Sequence, residues 1–210
     1  MKIIAFNGSP RKNGNTSILI DTVLNELQQQ GITTEHINVG SKQLQGCIGC
    51  MKCFENQNNK CILANDEVNN YLEKMIAADG IIIGSPVYCA DLSAQTKAFI
   101  DRVSMVACAN NILQRKVAAA VVAVRRAGSV HTFHSINNFF TITQMVVVGS
   151  SYWNNGFGMN PGEVLQDAEG LQTMHNLGKN MAWLIKCIDA AKNSIPAPVN
   201  NREILTNMIR

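Results

Sequence analysis

Short apolar runs alternate along this chain with longer stretches in which apolar residues return every three or four positions. Lys2–Phe6 is apolar after its first residue and stops at Asn-Gly-Ser-Pro, the pattern of a strand running into a turn. Thr16–Gln30 carries apolar residues at 18, 19, 20, 23, 24 and 27 and is followed by Gly31, which predicts a helix with a glycine stop. Thr33–Val39 alternates and predicts a strand towards a sheet edge. Asp66–Ala77 predicts a helix with Asp66 as its N-cap. Gly80–Gly84 (GIIIG) predicts a strand buried on both faces, and Leu92–Val103 a helix. Val117–Val124 and Met145–Val148 predict strands, Ile136–Thr143 a helix, and Ala168–Lys192 a long closing helix. The tail carries Pro196 and Pro198, with a short helix expected over Arg202–Ile209.

Five strands separated by helices, several apolar on both faces, imply an α/β domain with a parallel sheet covered on both sides. Right-handed crossovers leave few topologies, and the expected strand order is 2-1-3-4-5. One domain is expected over 1–192, with a cysteine-rich insertion at 46–62 and a tail at 193–210. Ligands of such sheets bind beyond the carboxyl ends of the strands, so the segments after the strands are where chemistry is sought.

Composition narrows the classes. Hydrophobic residues make up 46%, which excludes wholesale disorder. Charged residues are only 16%, so part of the surface is expected to be covered by another copy, in a dimer or tetramer. The net charge of +3 is scattered, with no basic run longer than Arg125-Arg126, and nucleic-acid binding is not expected. Ile3–Phe6 is too short for a signal peptide, and no run approaches the roughly eighteen apolar residues of a membrane span. Seven cysteines without a secretion signal point to a reducing, cytoplasmic setting.

The segment Asn7–Ser17 (NGSPRKNGNTS) joins the first strand to the first helix. Free N–H groups and the helix dipole favour an anion there. Ser9, Asn13, Asn15, Thr16 and Ser17 add hydroxyl or amide groups, and Arg11 adds charge. The set suits a terminal phosphate monoester. It lacks the Gly-Lys-Ser/Thr ending of a triphosphate loop and the three-glycine dinucleotide fingerprint. After the third strand, Pro86, Val87, Tyr88, Cys89 and Ala90 offer close backbone approach and a flat aromatic face. After the fourth, Arg125, Arg126, Ala127 and Gly128 offer charge and N–H groups. His131 and His134 follow at helical spacing and read as helix surface. His36 and His175 carry no signal, and Cys89, Cys108 and Cys187 stand alone, as core or incidental thiols.

Three stretches resemble one known group. GSPRKNGNTS (8–17), IIIGSPVYCADLSAQTKAFIDR (81–102) and VAVRRAGS (122–129) are similar to segments of the NADPH-dependent FMN reductase and iron–sulfur flavoprotein families. The resemblance runs in order from residue 2 to about 190. It implies a flavodoxin-like fold, FMN as cofactor and NAD(P)H as co-substrate. It implies that 9–17 holds the FMN phosphate, that 86–90 wraps the isoalloxazine, and that Arg126 or the Ala127–Gly128 backbone meets the pyrimidine edge. The families carry another residue type where Cys89 stands here.

Cys47-x2-Cys50-x2-Cys53-x7-Cys61 lies between the second strand and the second helix. The spacing is close to bacterial four-iron ferredoxin runs, with a longer last gap and no following proline. Three readings stay open: a [4Fe–4S] cluster, a zinc site, or thiols without metal. The compact motif also resembles that of iron–sulfur flavoproteins. No Ser–His–carboxylate or paired-carboxylate set is apparent, and the flavin itself would carry the chemistry. Two functions follow, beside a third possibility, a non-catalytic flavin-binding or regulatory module. One is an NAD(P)H-linked reductase of a quinone, nitro or azo compound or flavin. The other is a carrier passing electrons from a ferredoxin-like donor through the cluster to FMN. The aromatic segment Ser150–Leu165 is expected to cap the flavin or pack between subunits.

Overall fold

The computed structural model describes residues 1–201, 203–206 and 208. Its strands are β1 (Lys2–Asn7), β2 (Thr33–Asn38), β3 (Gly80–Tyr88), β4 (Asp91–Leu92), β5 (Val117–Val124), β6 (Val146–Val147) and β7 (Asn155–Phe157). Its helices are α1 (Asn15–Gln29), α2 (Lys52–Asn56), α3 (Val68–Ala77), α4 (Ala94–Asn110), α5 (Ser129–Ile142) and α6 (Ala168–Ala191), with a 3-10 turn at Glu163–Gln166.

Alternation along the strands divides the core into two layers. Ile4, Phe6, Ile81, Ile83, Ala118, Ala120 and Val122 face α3, α4 and α5 and pack on Leu72, Met75, Phe99, Val103 and Phe140. Ile3, Ala5, Ile82, Ala119 and Val121 face the other way, onto Leu19, Ile20, Val23 and Leu27 of α1 and Leu177 and Met181 of α6. Each such large side chain contributes about 1.5–3 kcal/mol on burial, and Ile81, Ile82 and Ile83 of the GIIIG strand are all fully buried.

The sheet runs β2-β1-β3-β5-β6, and it corrects the expected five strands in order 2-1-3-4-5. There are seven strands among the described residues, for two reasons. Asp91–Leu92 folds back antiparallel on Val87–Tyr88, adding β4. The edge strand is broken in two: β6 pairs with Val117–Ala118 and β7 with Val122–Val124, and the chain leaves the sheet between them. The parallel strands keep the expected path once β4 and β7 are set aside.

Other boundaries move for local reasons. β3 extends past Gly84 because Ser85 and Pro86 still pair with Val122 and Ala123. α4 begins after Ser93, which caps it, and runs on to Asn110. α5 begins at Ser129, not Ile136; its buried stripe starts with Ser129 and Thr132, where hydroxyls hide the apolar period. Glu67, not Asp66, occupies the N-cap position of α3. Asp66 Oδ1 accepts from the Val68 N–H at 3.2 Å, while its other oxygen faces Arg102. α2 was not expected; it sits inside the cysteine insertion between Met51 and Gln57, both left-handed at φ 58° and 44°. The helix expected over Arg202–Ile209 falls partly outside the described residues, and 203–206 carry no helix. No helix among the described residues is long and apolar enough to cross a membrane.

Candidate functional site

The carboxyl ends of β1, β3 and β5 bring three loops to one edge of the sheet. The first leaves β1 at Asn7 and enters α1 at Asn15. Its own polar groups draw it tight. The Ser9 N–H donates to Asn7 Oδ1 at 2.9 Å and the Arg11 N–H to Ser9 Oγ at 3.2 Å. Asn38, at the end of β2, donates from Nδ2 to the Ser9 carbonyl at 2.9 Å. Gly8 leaves no room for a side chain: a Cβ there would lie 1.7 Å from Thr96 Oγ1.

Three buried hydroxyls join this loop to the second. Ser93 Oγ donates to the Gly8 carbonyl at 2.8 Å, the Ser93 N–H donates to Ser85 Oγ at 3.0 Å, and Thr96 Oγ1 donates to Ser85 Oγ at 3.3 Å. All three side chains are fully buried. They were not picked out in the sequence, where Ser85, Ser93 and Thr96 carry no spacing that marks them as one buried group.

The helix ends differ in a way that matters for ligands. The first N–H groups of any α-helix have no partner within the helix. Ser93 supplies one for α4 by accepting from the Thr96 N–H. α1 starts at Gly14 and α5 at Gly128, with no side-chain cap and no acidic residue in either first turn. Both therefore present open donors and a positive dipole end to an anion or a polar ring edge. Asn7 Nδ2, in the first loop, is buried and has no hydrogen-bond partner among the described residues.

Around α1 the structure gathers Ser9, Thr16 and Ser17, all buried, with Arg11 and Asn13 on the exposed rim. Ser17 Oγ donates to Asp21 at 3.3 Å. Asn15 points elsewhere. Its Nδ2 donates to the Asn160 carbonyl at 3.0 Å and its Oδ1 accepts from the Gly162 N–H at 2.9 Å. It thus ties the segment after β7 to the phosphate-type loop.

The second loop is a two-residue hairpin. Tyr88 pairs with Asp91, and Cys89 and Ala90 both hold positive φ, 49° and 64°. Such turns prefer Asn-Gly, and L side chains there cost roughly 1–2 kcal/mol each. Pro86 and Val87 are half-buried; Tyr88, Cys89 and Ala90 are exposed, so Cys89 is not a core thiol, and neither is the exposed Cys187. The third loop closes against this hairpin: a Cβ on Gly128, at φ 92°, would lie 2.8 Å from Ala90 Cα. Arg125 and Arg126 are exposed and make no ion pair among the described residues. His131 and His134 lie exposed on α5, and His131 Nε2 stands 3.4 Å from Asp91 Oδ2. Burial pushes the Asp91 carboxyl up, but hydrogen bonds from the Leu92 N–H, Ser135 and His131 hold it below the ordinary aspartate value.

Cys47, Cys50, Cys53 and Cys61 all line one small apolar cavity on the flank of α4, together with Ile62 and Arg102. Cys47 and Cys50 are exposed, Cys53 is buried and Cys61 half-buried. Burial pushes the Cys53 thiol above its ordinary value, and Cys47 and Cys50 add to that. Among the described residues no three His, Cys, Asp or Glu side chains are gathered closely enough for a single metal ion.

A parallel sheet in the order β2-β1-β3-β5-β6, with helices on both faces and the β1–α1 loop at its carboxyl edge, is a flavodoxin-like fold. The profile of the NADPH-dependent FMN reductase family matches residues 1–160, and the chain belongs to that family of FMN-dependent oxidoreductases. It is similar to an iron–sulfur flavoprotein of Methanocaldococcus jannaschii, 43% identical over 195 residues that cover 90% of this chain and 99% of the relative. The iron–sulfur flavoprotein of Methanosarcina thermophila is 33% identical, covering 90% and 97%. Among solved structures, an apo NADH:FMN oxidoreductase superposes with a TM-score of 0.63 at 19% identity, covering 87% and 89% of the two chains. An archaeal flavodoxin gives 0.59 at 17% identity, covering 89% and 99%. These two confirm the fold.

Proposed function

We propose that this FMN-dependent oxidoreductase works with two redox centres, an FMN on the three loops and a [4Fe–4S] cluster on Cys47, Cys50, Cys53 and Cys61, and draws electrons from a ferredoxin-like donor. The observation that carries the reading is the convergence of four thiols on one cavity. That cavity lies against α4, the helix whose cap is bonded into both flavin loops. The relatives named iron–sulfur flavoproteins support it.

The chemistry of the donor sets suits both groups. At the flavin edge, the uncapped start of α1 with Ser9, Thr16 and Ser17 would bind the phosphate, and Arg11 on the rim adds charge. Asn7 Nδ2, buried in the same loop and without a partner among the described residues, is a further donor. Tyr88 and the hairpin backbone would border the ring, and the uncapped start of α5 with Arg126 would meet its pyrimidine edge. When bound, FMN supplies one- and two-electron chemistry at its ring. At the cysteine site the donor set is all sulfur, the preference of iron–sulfur clusters. The cavity is narrow, about 20 Å³. The exposed Cys47 and Cys50, on backbone without regular structure, are the ligands free to yield outward. A cluster there supplies single-electron transfer.

A second reading has NAD(P)H reduce FMN directly, for delivery to a quinone, nitro or azo compound or free flavin. The family match supports it. In either case the exposed Tyr152, Trp153 and Phe157 are proposed as the surface where a second copy closes over the flavin edge. Size-exclusion chromatography should then give a dimer or tetramer, and a monomer would contradict that contact.

Anaerobic purification decides between the readings. Iron and acid-labile sulfide near four per chain, lost when Cys50→Ser and Cys53→Ser are introduced, are expected for a [4Fe–4S] site. Iron-free protein bleached stoichiometrically by NADPH or NADH would overturn the cluster reading and leave the second.

A further inference from the structure

Arg102 heads the largest side chains fully withdrawn from solvent, and it takes no part in the flavin site. Its guanidinium reaches both ends of the cysteine insertion. One terminal nitrogen donates to the Gln45 carbonyl at 3.3 Å and pairs with Asp66; the other donates to the Leu63 carbonyl at 2.6 Å. Gln45 and Leu63 are the two residues that flank 46–62. A single planar group therefore fixes the separation of the insertion's stems, which a point-like ammonium cannot do.

The last cysteine is held from a second helix. Asn69 Oδ1 accepts from the Cys61 N–H at 2.8 Å, and Nδ2 donates back to the Cys61 carbonyl at 3.0 Å. What remains of Arg102 is its Nε–H. It is buried and has no hydrogen-bond partner among the described residues, and its side chain lines the cavity shared by the four thiols. A buried N–H left unpaired is costly, and natural cores rarely keep one. Thiolate and sulfide sulfurs are acceptors for such donors, and hydrogen bonds to them set a cluster's potential.

We propose that Arg102 is the positioning residue of the cysteine site: its terminal nitrogens set the stems of the insertion, and its Nε–H donates to a sulfur of the cluster. The proposal rests on the cluster reading above and assigns a role to a residue outside the cysteine motif.

The test compares the wild-type chain with Arg102→Lys and Arg102→Gln, all purified and reconstituted anaerobically. Iron and sulfide content and the cluster's midpoint potential are measured; bound FMN and circular dichroism serve as fold controls. With FMN content unchanged, Arg102→Lys should weaken iron retention about 10-fold or more, the usual effect of removing an outer-shell partner. Any iron it retains should titrate at a lower potential, because the lost N–H stabilised the reduced state. Wild-type iron content at an unchanged potential would overturn the assignment. Should both variants fail to fold, pulsed electron paramagnetic resonance on reduced wild-type protein labelled with ¹⁵N at arginine Nε decides. A nitrogen coupling supports the bond, and its absence in iron-loaded protein overturns it. Wild-type protein that takes up no iron brings down the cluster reading, and with it the role of Nε, before any variant is made.

Discussion

The flavin edge and the cysteine insertion are built in opposite ways. At the flavin edge the loops turn tightly on themselves and are pressed against one another: the Ser9 and Arg11 N–H groups donate to the side chains of Asn7 and Ser9, Ser93 ties the Gly8 carbonyl to Ser85, and a hairpin closes over two residues. Glycines at 8, 40 and 128 sit where a Cβ would strike a neighbour within 3 Å. The insertion has little of this. It holds left-handed residues at 49, 51, 57 and 59 and a five-residue helix, and it is anchored by side chains from α3 and α4: Asn69, Arg102 and Asn110. The first region should thus be sensitive to added atoms and the second to lost side chains.

The largest expected effect comes from removing the insertion's anchor outright. Arg102→Leu leaves the Asp66 carboxylate buried without its partner, at a cost of about 3–5 kcal/mol. For a domain of this size that is a fall in Tm of roughly 6–20 °C by scanning calorimetry. A fall under about 2 °C would mean that the two stems are held by something else.

Gly8→Ala tests the other region. The new methyl must displace Thr96, a stiff β-branched residue bonded to Ser93 and Ser85. Overpacking of this kind costs about 1–3 kcal/mol, and FMN affinity should fall while iron content stays at the wild-type level. Loss of both together would show that the regions are one cooperative unit. Asn15→Ala is smaller. It removes the hydrogen bonds to Asn160 and Gly162 and the longer one from the Val164 N–H at 3.5 Å, worth about 1–2 kcal/mol together. Limited proteolysis should then cut sooner within 158–164, with iron content unchanged.

The smallest effect is on the acid limb of stability. A hydrogen bond from Lys2, and then one from Lys74, hold the Glu35 carboxyl below its ordinary value of 4.5. A depressed carboxylate contributes stability above its unfolded value, and that contribution is lost as pH falls through the folded one. Glu35→Gln should flatten the pH dependence of Tm below about pH 4.5 and change neither site. The pair is part-exposed, so the loss near neutrality should stay under about 1 kcal/mol. An unchanged acid limb would refute the pairing.

The same contrast explains what could be read from the sequence. Asn7–Ser17 was legible because the strand, the polar loop and the helix start are contiguous, and the parallel sheet because GIIIG and VAAAVVAV carry no polar alternation. The thiols were legible from spacing alone. Arg102 was not, since its acceptors lie 39 and 57 residues away along the chain. The Cys89-Ala90 turn was hidden because neither residue favours positive φ. The division of the edge strand was hidden because β6 spans only two residues and β7 three. Asn15 looked like a phosphate ligand by position, and only the fold brings residues 160–164 to its amide.

The central claim is that the uncapped start of α1 and the loop before it grip a phosphate monoester. Titrating flavin-free protein with FMN and with riboflavin, which differ only in that phosphate, tests it most directly. FMN should bind at least about 100-fold more tightly, the equivalent of roughly 2.7 kcal/mol for charge-assisted bonds to the loop. Equal affinities for the two flavins would contradict the account.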